Sequence, residues 1–204
     1  HALRFDTRSL EYQPVPLPSG CVIIIADSGV RRSLTNSAYN DRRKACQQAV
    51  TIIQQYQPEV TSLRDVSSEK LTYYREKMQY LTYLRAKHVV DEIARVEDGV
   101  NFLQRGDPQS FGRLMTLAHQ SLRDLYQVSI PELDYLVASA INLPGCYGSR
   151  LTGAGFGGCT VNLVAVDQAQ SFIEQLAWSF QQYYHRQATI YICTASQAAS
   201  CLSV

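Results

Sequence analysis

The stretch Pro144-Gly145-Cys146-Tyr147-Gly148-Ser149-Arg150-Leu151-Thr152-Gly153-Ala154-Gly155-Phe156-Gly157-Gly158 holds six of the chain's 11 glycines. Glycine at this density opens the backbone to positive φ and lets successive N–H groups converge on one point. No Gly-Lys-Ser/Thr follows, so the stretch is not a P-loop. A β-like run at residues 160–166 follows where a dinucleotide fingerprint requires a helix, so it is not that motif either. Two readings stand: a tight hairpin with a bulge, in which glycine serves geometry, or a loop lying beside a phosphate. Downstream, residues 169–184 read as a helix with Phe172, Leu176, Phe180 and Tyr183 on one face, and residues 189–193 as a strand. A hairpin, one helix and a returning strand make half of a ferredoxin-like unit, so the fold class expected is α+β, an antiparallel sheet packed with helices.

Upstream the same logic holds. Residues 2–5 and 10–17 read as strands, the second ending in Pro14, Pro16 and Pro18, which suits an edge. Cys21-Val22-Ile23-Ile24-Ile25-Ala26, bounded by Gly20 and Asp27-Ser28-Gly29, is a buried central strand. A helix begins near Thr35-Asn36-Ser37, whose side chains suit a cap, and runs to about Tyr56 with Ala45, Ala49, Ile52 and Tyr56 on one face. Residues 57–68 read as a polar connection. Val89, Ile93, Val96, Val100 and Leu103 form an amphipathic stripe ending at Gly106. Asp107-Pro108 opens the next helix as N-cap and first helical residue, with Phe111, Met115, Ala118, Leu122 and Leu125 as its stripe. A short helix from Pro131 turns Leu133, Leu136, Val137 and Ala140 inward. No linker or repeat interrupts residues 1–204, so one domain is expected.

Composition narrows the function classes. The 204 residues are 46% hydrophobic and 18% charged with a net charge of +1, which argues against a disordered chain, a nucleic-acid partner or an anionic-membrane partner. The longest apolar run, residues 21–26, is far short of a membrane span. The six cysteines (Cys21, Cys46, Cys146, Cys159, Cys193, Cys201) show no metal-ligand spacing, and their apolar settings predict buried, reduced thiols in a cytoplasmic protein. The chain opens at His1 inside a strand and reads as a piece of a longer protein.

Ser149-Arg150-Leu151-Thr152-Gly153-Ala154-Gly155-Phe156-Gly157-Gly158-Cys159 resembles the third signature motif of the GHMP small-molecule kinases, in its galactokinase form. Four further segments agree in order: Asp27 to Leu34 leading into Ser37-Ala38-Tyr39-Asn40-Asp41-Arg42-Arg43; Lys87-His88-Val89-Val90-Asp91-Glu92; residues 119–129; and Pro131-Glu132-Leu133-Asp134-Tyr135-Leu136-Val137. The resemblance implies the carboxy-terminal domain of a sugar kinase that phosphorylates galactose at its anomeric hydroxyl, using ATP and Mg2+. It places the catalytic Asp and Arg, the phosphate loop and the metal ligands in an amino-terminal domain, so neither catalytic nor metal-binding residues are expected in this chain, and the fragment alone is expected to be inactive. The alternatives are a sugar- and ATP-binding regulator of the same family, or a sister kinase acting on N-acetylgalactosamine.

Residue by residue, the resemblance makes Tyr39 a sugar-binding phenol; the bland alternative is a tyrosine packing a helix turn onto the sheet. It makes Thr152, Gly153, Ala154, Gly155, Gly157 and Gly158 the active-site loop, with Thr152 equally suited to a hairpin role. Ala154 stands where the family commonly has glycine, and a positive φ there would cost about 1 kcal/mol. Asp27 replaces a common Asn, and Gln197-Ala198-Ala199 replaces an acidic-Gly-Ala sequence. Arg31, Arg32, Arg42 and Arg43 read as a solvated face or as ion pairs with Asp27 and Asp41. His88 and His119 have no carboxylate or hydroxyl partner at a diagnostic spacing and read as packing histidines. Tyr73, Tyr74, Tyr80 and Tyr83 read as an interhelical packing surface.

Overall fold

The computed structural model describes residues 1–31 and 36–194. Arg32, Ser33, Leu34, the cap expected at Thr35, Cys201 and the Gln197-Ala198-Ala199 departure lie outside the described residues, as do the side chains of Asn36 and Ser37. Strands β1 (Ala2–Phe5) and β2 (Tyr12–Val15) pair antiparallel as a separate two-stranded ribbon. Strands β3 (Cys21–Asp27), β4 (Cys146–Leu151), β5 (Cys159–Ala165) and β6 (Thr189–Cys193) form an antiparallel sheet in the order β4-β5-β3-β6. This is the α+β architecture expected. The helices are α1 (Asn36–Gln54), α2 (Ser68–Tyr73), α3 (Tyr80–Gln104), α4 (Pro108–Ser121), α5 (Pro131–Ala140) and α6 (Ala169–Tyr184). A π-helical turn, Leu122–Tyr126, continues α4 and ends at Gln127 in the left-handed region.

Local chemistry sets several of these boundaries. Asp107 accepts the Ser110 N–H at 2.9 Å with Pro108 in the first turn, as the sequence predicts for α4. Helix α5 starts at Pro131 and buries Leu133, Leu136, Val137 and Ala140. Two apolar cores result. One lies between the sheet, α5 and α6, around Ile24, Val164, Phe172, Leu176 and Phe180. The other joins α1, α2 and α3 around Ile53, Leu71, Tyr74, Tyr83 and Val90.

Four expectations need correction. Residues 57–68 are more than a polar connection: Val60, Leu63 and Val66 are buried in the helical core, held by a capping box between Ser62 and Asp65. The stripe on α3 is real but unevenly covered: Val89 packs on the helical core and Leu103 is buried, whereas Ile93 and Val96, beside the β1–β2 ribbon, stay 37% and 52% exposed. Tyr56 and Tyr183 are likewise exposed at the ends of their stripes, and of the four tyrosines Tyr74 and Tyr83 are buried while Tyr73 and Tyr80 are exposed. Of the cysteines, Cys193 is exposed and Cys21, Cys46, Cys146 and Cys159 are only partly covered, because β6 is an edge strand and the others flank loops or helix faces.

Candidate functional site

The glycine stretch is a hairpin loop between β4 and β5, closed at its neck by the Thr152 N–H donating to Cys159 O at 3.0 Å. Gly153, Gly155, Gly157 and Gly158 all take positive φ, and so does Phe156, at 59°. Ala154 is not among the positive-φ residues, so the departure from glycine there carries no backbone strain. Two glycines are set by close approach. A Cβ on Gly155 would lie 2.2 Å from Val128 O, and one on Gly157 would lie 2.6 Å from Val30 O.

Three of the N–H groups at residues 152–158, that of Thr152 included, brace the loop. Phe156 N–H donates to Val128 O at 2.7 Å and Gly158 N–H to Val30 O at 3.0 Å. Gly158 O in turn accepts from the N–H and the hydroxyl of Ser28, at 3.0 and 2.7 Å. Gly153 and Ala154 are exposed, and their N–H groups make no hydrogen bond among the described residues. The loop is therefore a braced hairpin whose tip presents a few outward donors, rather than an anion cradle with all its amides converging. Thr152 is exposed at the neck.

Tyr39, in the first turns of α1, is 58% exposed, so it does not pack the helix onto the sheet. Its side chain lines a depression of about 70 Å³ shared with Gly153, Ala154, Phe156, Arg42 and Tyr126. That volume is well below the few hundred Å³ of a complete small-molecule pocket. The geometry is one wall of a site. Tyr39 and the tip of the glycine loop, more than 110 residues apart in sequence, meet there.

Arg42 departs from the ion-pair reading. Its Nε donates to Tyr126 O at 3.1 Å and an Nη donates to Gln127 O, while its guanidinium lies 5.4 Å from the centroid of the Phe156 ring. These carbonyls end the π-helical turn, where free acceptors and the negative pole of the helix favour a cation. Arg42 thus ties α1 to the turn and to the loop. Arg31 does pair with Asp27, at 3.0 Å, while Asp27 Oδ1 also accepts the Gly29 N–H at 2.9 Å. Arg43 is exposed and makes no ion pair within the described residues.

Both histidines have partners that spacing alone did not show. His88 Nδ1 lies 2.8 Å from Ser121 Oγ, and its ring stacks on Tyr126 at 4.4 Å. Burial pulls His88 down to about 4, so the ring is neutral near neutral pH. Burial, and then the neighbouring Cys46 thiol, push the Tyr126 phenol up to about 12. His119 lies between the Leu151 N–H and the Asp134 carboxylate. No signal in the linear order pairs residues 119 and 134 or 88 and 121; only packing of α3, α4 and α5 does.

Residues 100–177 match the family model described as "GHMP kinases C terminal". The chain is 48% identical over 196 residues to a galactokinase of Roseiflexus sp. (strain RS-1), covering 96% of this chain and 50% of that protein. It is 42% identical over 203 residues to the galactokinase of Homo sapiens, covering 99% of this chain and 50% of that protein. Among solved structures, Lactococcus lactis galactokinase complexed with galactose superposes with a TM-score of 0.86 at 31% identity, over 93% of this chain and 49% of that one. L. major mevalonate kinase shares the fold, with a TM-score of 0.60 at 22% identity. The chain spans about half the length of the curated relatives it matches. The fold, the hairpin loop and these matches agree: residues 100–177 carry the carboxy-terminal domain of the GHMP kinases, in a chain similar along its length to galactokinases.

Proposed function

We propose that this chain forms, as one domain, the carboxy-terminal wall of a galactokinase active site, in an enzyme that transfers a phosphoryl group from ATP to the anomeric hydroxyl of galactose. One observation carries the reading: Tyr39 and the tip of the glycine loop share one depression in a chain similar along its length to galactokinases. The tyrosine offers a phenol face and a hydroxyl, a pairing suited to a sugar ring. The N–H groups of Gly153 and Ala154, which make no hydrogen bond among the described residues, offer donors of the kind a sugar or phosphate oxygen accepts. ATP, when bound, supplies the transferred phosphoryl group; this chain's part is to bind and orient. Among the described residues no group of three His, Cys, Asp or Glu side chains is placed to hold a metal ion, so no step is assigned to Mg2+ here. The catalytic pair belongs to the other domain, which is this chain's partner in the reading. A cytoplasmic setting is part of this reading.

The test is kinetic. Tyr39→Phe, made in a protein of the relatives' length, removes one hydroxyl and raises KM for galactose about threefold to tenfold. An unchanged KM removes Tyr39 from the sugar site. The 204 residues alone show no galactose-dependent ATP turnover; turnover by this chain overturns the division of labour. A panel of sugars separates the rivals: preference for N-acetylgalactosamine marks a sister kinase, and sugar binding without phosphorylation marks a regulator.

A further inference from the structure

His119, in α4, is 2% exposed, and each ring nitrogen faces a different element. Nδ1 accepts the N–H of Leu151 at 3.3 Å, the last residue of β4 before the glycine loop. An acceptor at Nδ1 leaves the neutral ring's proton on Nε2. Nε2 lies 3.1 Å from Asp134 Oδ1 of α5, at an angle poor for a straight hydrogen bond. The same oxygen accepts the Ser129 hydroxyl at 2.5 Å. Ser129 follows Val128, whose carbonyl accepts the Phe156 N–H on the far side of the loop. One chain, buried at Leu151 and His119 and half-buried at Asp134 and Ser129, therefore links the loop's entry to the segment that braces its exit.

We propose that His119 is a positioning residue: in the Nε2–H tautomer, which leaves Nδ1 free to accept, it holds Leu151 by its N–H, and through it sets the glycine loop against Tyr39. This rests on the loop being an active-site wall. The ion facing His119 from α5 is Asp134, which favours a charged ring; Arg123 of the π-helical turn and Arg150 of β4 disfavour it, as does burial. The balance favours the neutral ring. A second proton would sit on Nδ1 and point at the Leu151 N–H, two donors face to face, and the loop's entry would lose its acceptor.

The test has a structural arm and a kinetic arm. In the 204-residue chain, imidazole nitrogen shifts at neutral pH are expected to report the Nε2–H tautomer; the Nδ1–H tautomer overturns the proposal, whether or not any variant folds. His119→Gln keeps a polar group toward Asp134 but offers Leu151 no acceptor, whereas His119→Asn places an amide oxygen near the Nδ1 position. Amide exchange at Leu151 is expected to speed up about tenfold or more in the Gln variant and less in the Asn variant. Equal exchange in wild type and both variants overturns it. In a protein of the relatives' length, His119→Gln lowers kcat on the order of tenfold to a hundredfold with a smaller change in KM for galactose, and His119→Asn recovers most of the loss. An unchanged kcat in the Gln variant overturns the positioning role. A wild-type protein that binds galactose but never phosphorylates it defeats the functional reading instead, and the tautomer and exchange results then stand apart from it.

Discussion

Gly155 and Ala154 are neighbours with opposite requirements. Gly155 takes φ of 80° and its Cα faces Val128 O, so a methyl group would meet both backbone strain and a carbonyl oxygen that cannot yield. Gly155→Ala is expected to cost about 2–4 kcal/mol in chemical denaturation, the sum of a left-handed alanine and an overpacked contact. Ala154→Gly is expected to cost no more than about 1 kcal/mol, because it only returns freedom to the unfolded chain. A larger loss at 154 than at 155 would mean the loop's conformation differs from the one described. The motif as a whole was legible from glycine density, yet which glycines carry positive φ was not. That depends on Val128 and Val30, segments that approach the loop from elsewhere. Arg42 teaches the same lesson. The sequence offered Asp41 beside it, but its guanidinium serves carbonyls more than 80 residues away.

At the scale of elements, α4 lies on β4 through two glycines. A Cβ on Gly112 would fall 2.1 Å from Tyr147 O, and one on Gly148 would fall 1.9 Å from Gly112 O. The helix therefore rests on bare strand backbone, which brings His119 within reach of Leu151 about two turns further on. Gly112→Ala and Gly148→Ala are each expected to destabilise by about 2–3 kcal/mol or more. The double variant is expected to lose less than the sum, since both methyl groups would force apart one contact. Strict additivity in the denaturation midpoints would contradict a shared contact. Neither glycine announces this role in sequence: Gly112 sits in a helical pattern and Gly148 in a strand pattern. The stripe on α3 shows the complementary limit. Its period was readable and its helix is present, but period reveals only that a face is apolar, not how much another element covers it. The ribbon of β1 and β2 covers it in part.

At the scale of the molecule, a third apolar cluster of Leu122, Val128, Leu133 and Leu151 lies beneath the glycine loop and joins α4, α5 and β4. The buried histidines flank it, and they make global stability depend on pH. His88 is pulled to about 4 by burial, below the ordinary 6.5 of an unfolded chain. As pH falls from about 6.5 towards 4, the unfolded chain takes up a proton that the folded chain refuses, so stability falls across that window by up to about 3 kcal/mol. Above the window this contribution is fully present. Below it both states carry the proton and the slope from this residue ends. Urea midpoints measured from pH 7 to 4 are expected to drop, and His88→Gln is expected to flatten the drop. An identical slope in the variant would assign the acid sensitivity elsewhere, for instance to His119, which burial also holds below the ordinary histidine value.

The cap at Asp107, the helix start at Pro131, the α+β class and the glycine motif were determined by the sequence itself, because caps, periodicity and glycine motifs are local and act over a few residues. Only the tertiary structure decided what each side chain faces. It set Tyr39 beside Gly153 and Ala154, gave Arg42 to the carbonyls of Tyr126 and Gln127, and placed His119 between Leu151 and Asp134. These partners come together because packing minimises exposed apolar area and leaves few buried donors without an acceptor, two conditions that a linear pattern does not encode.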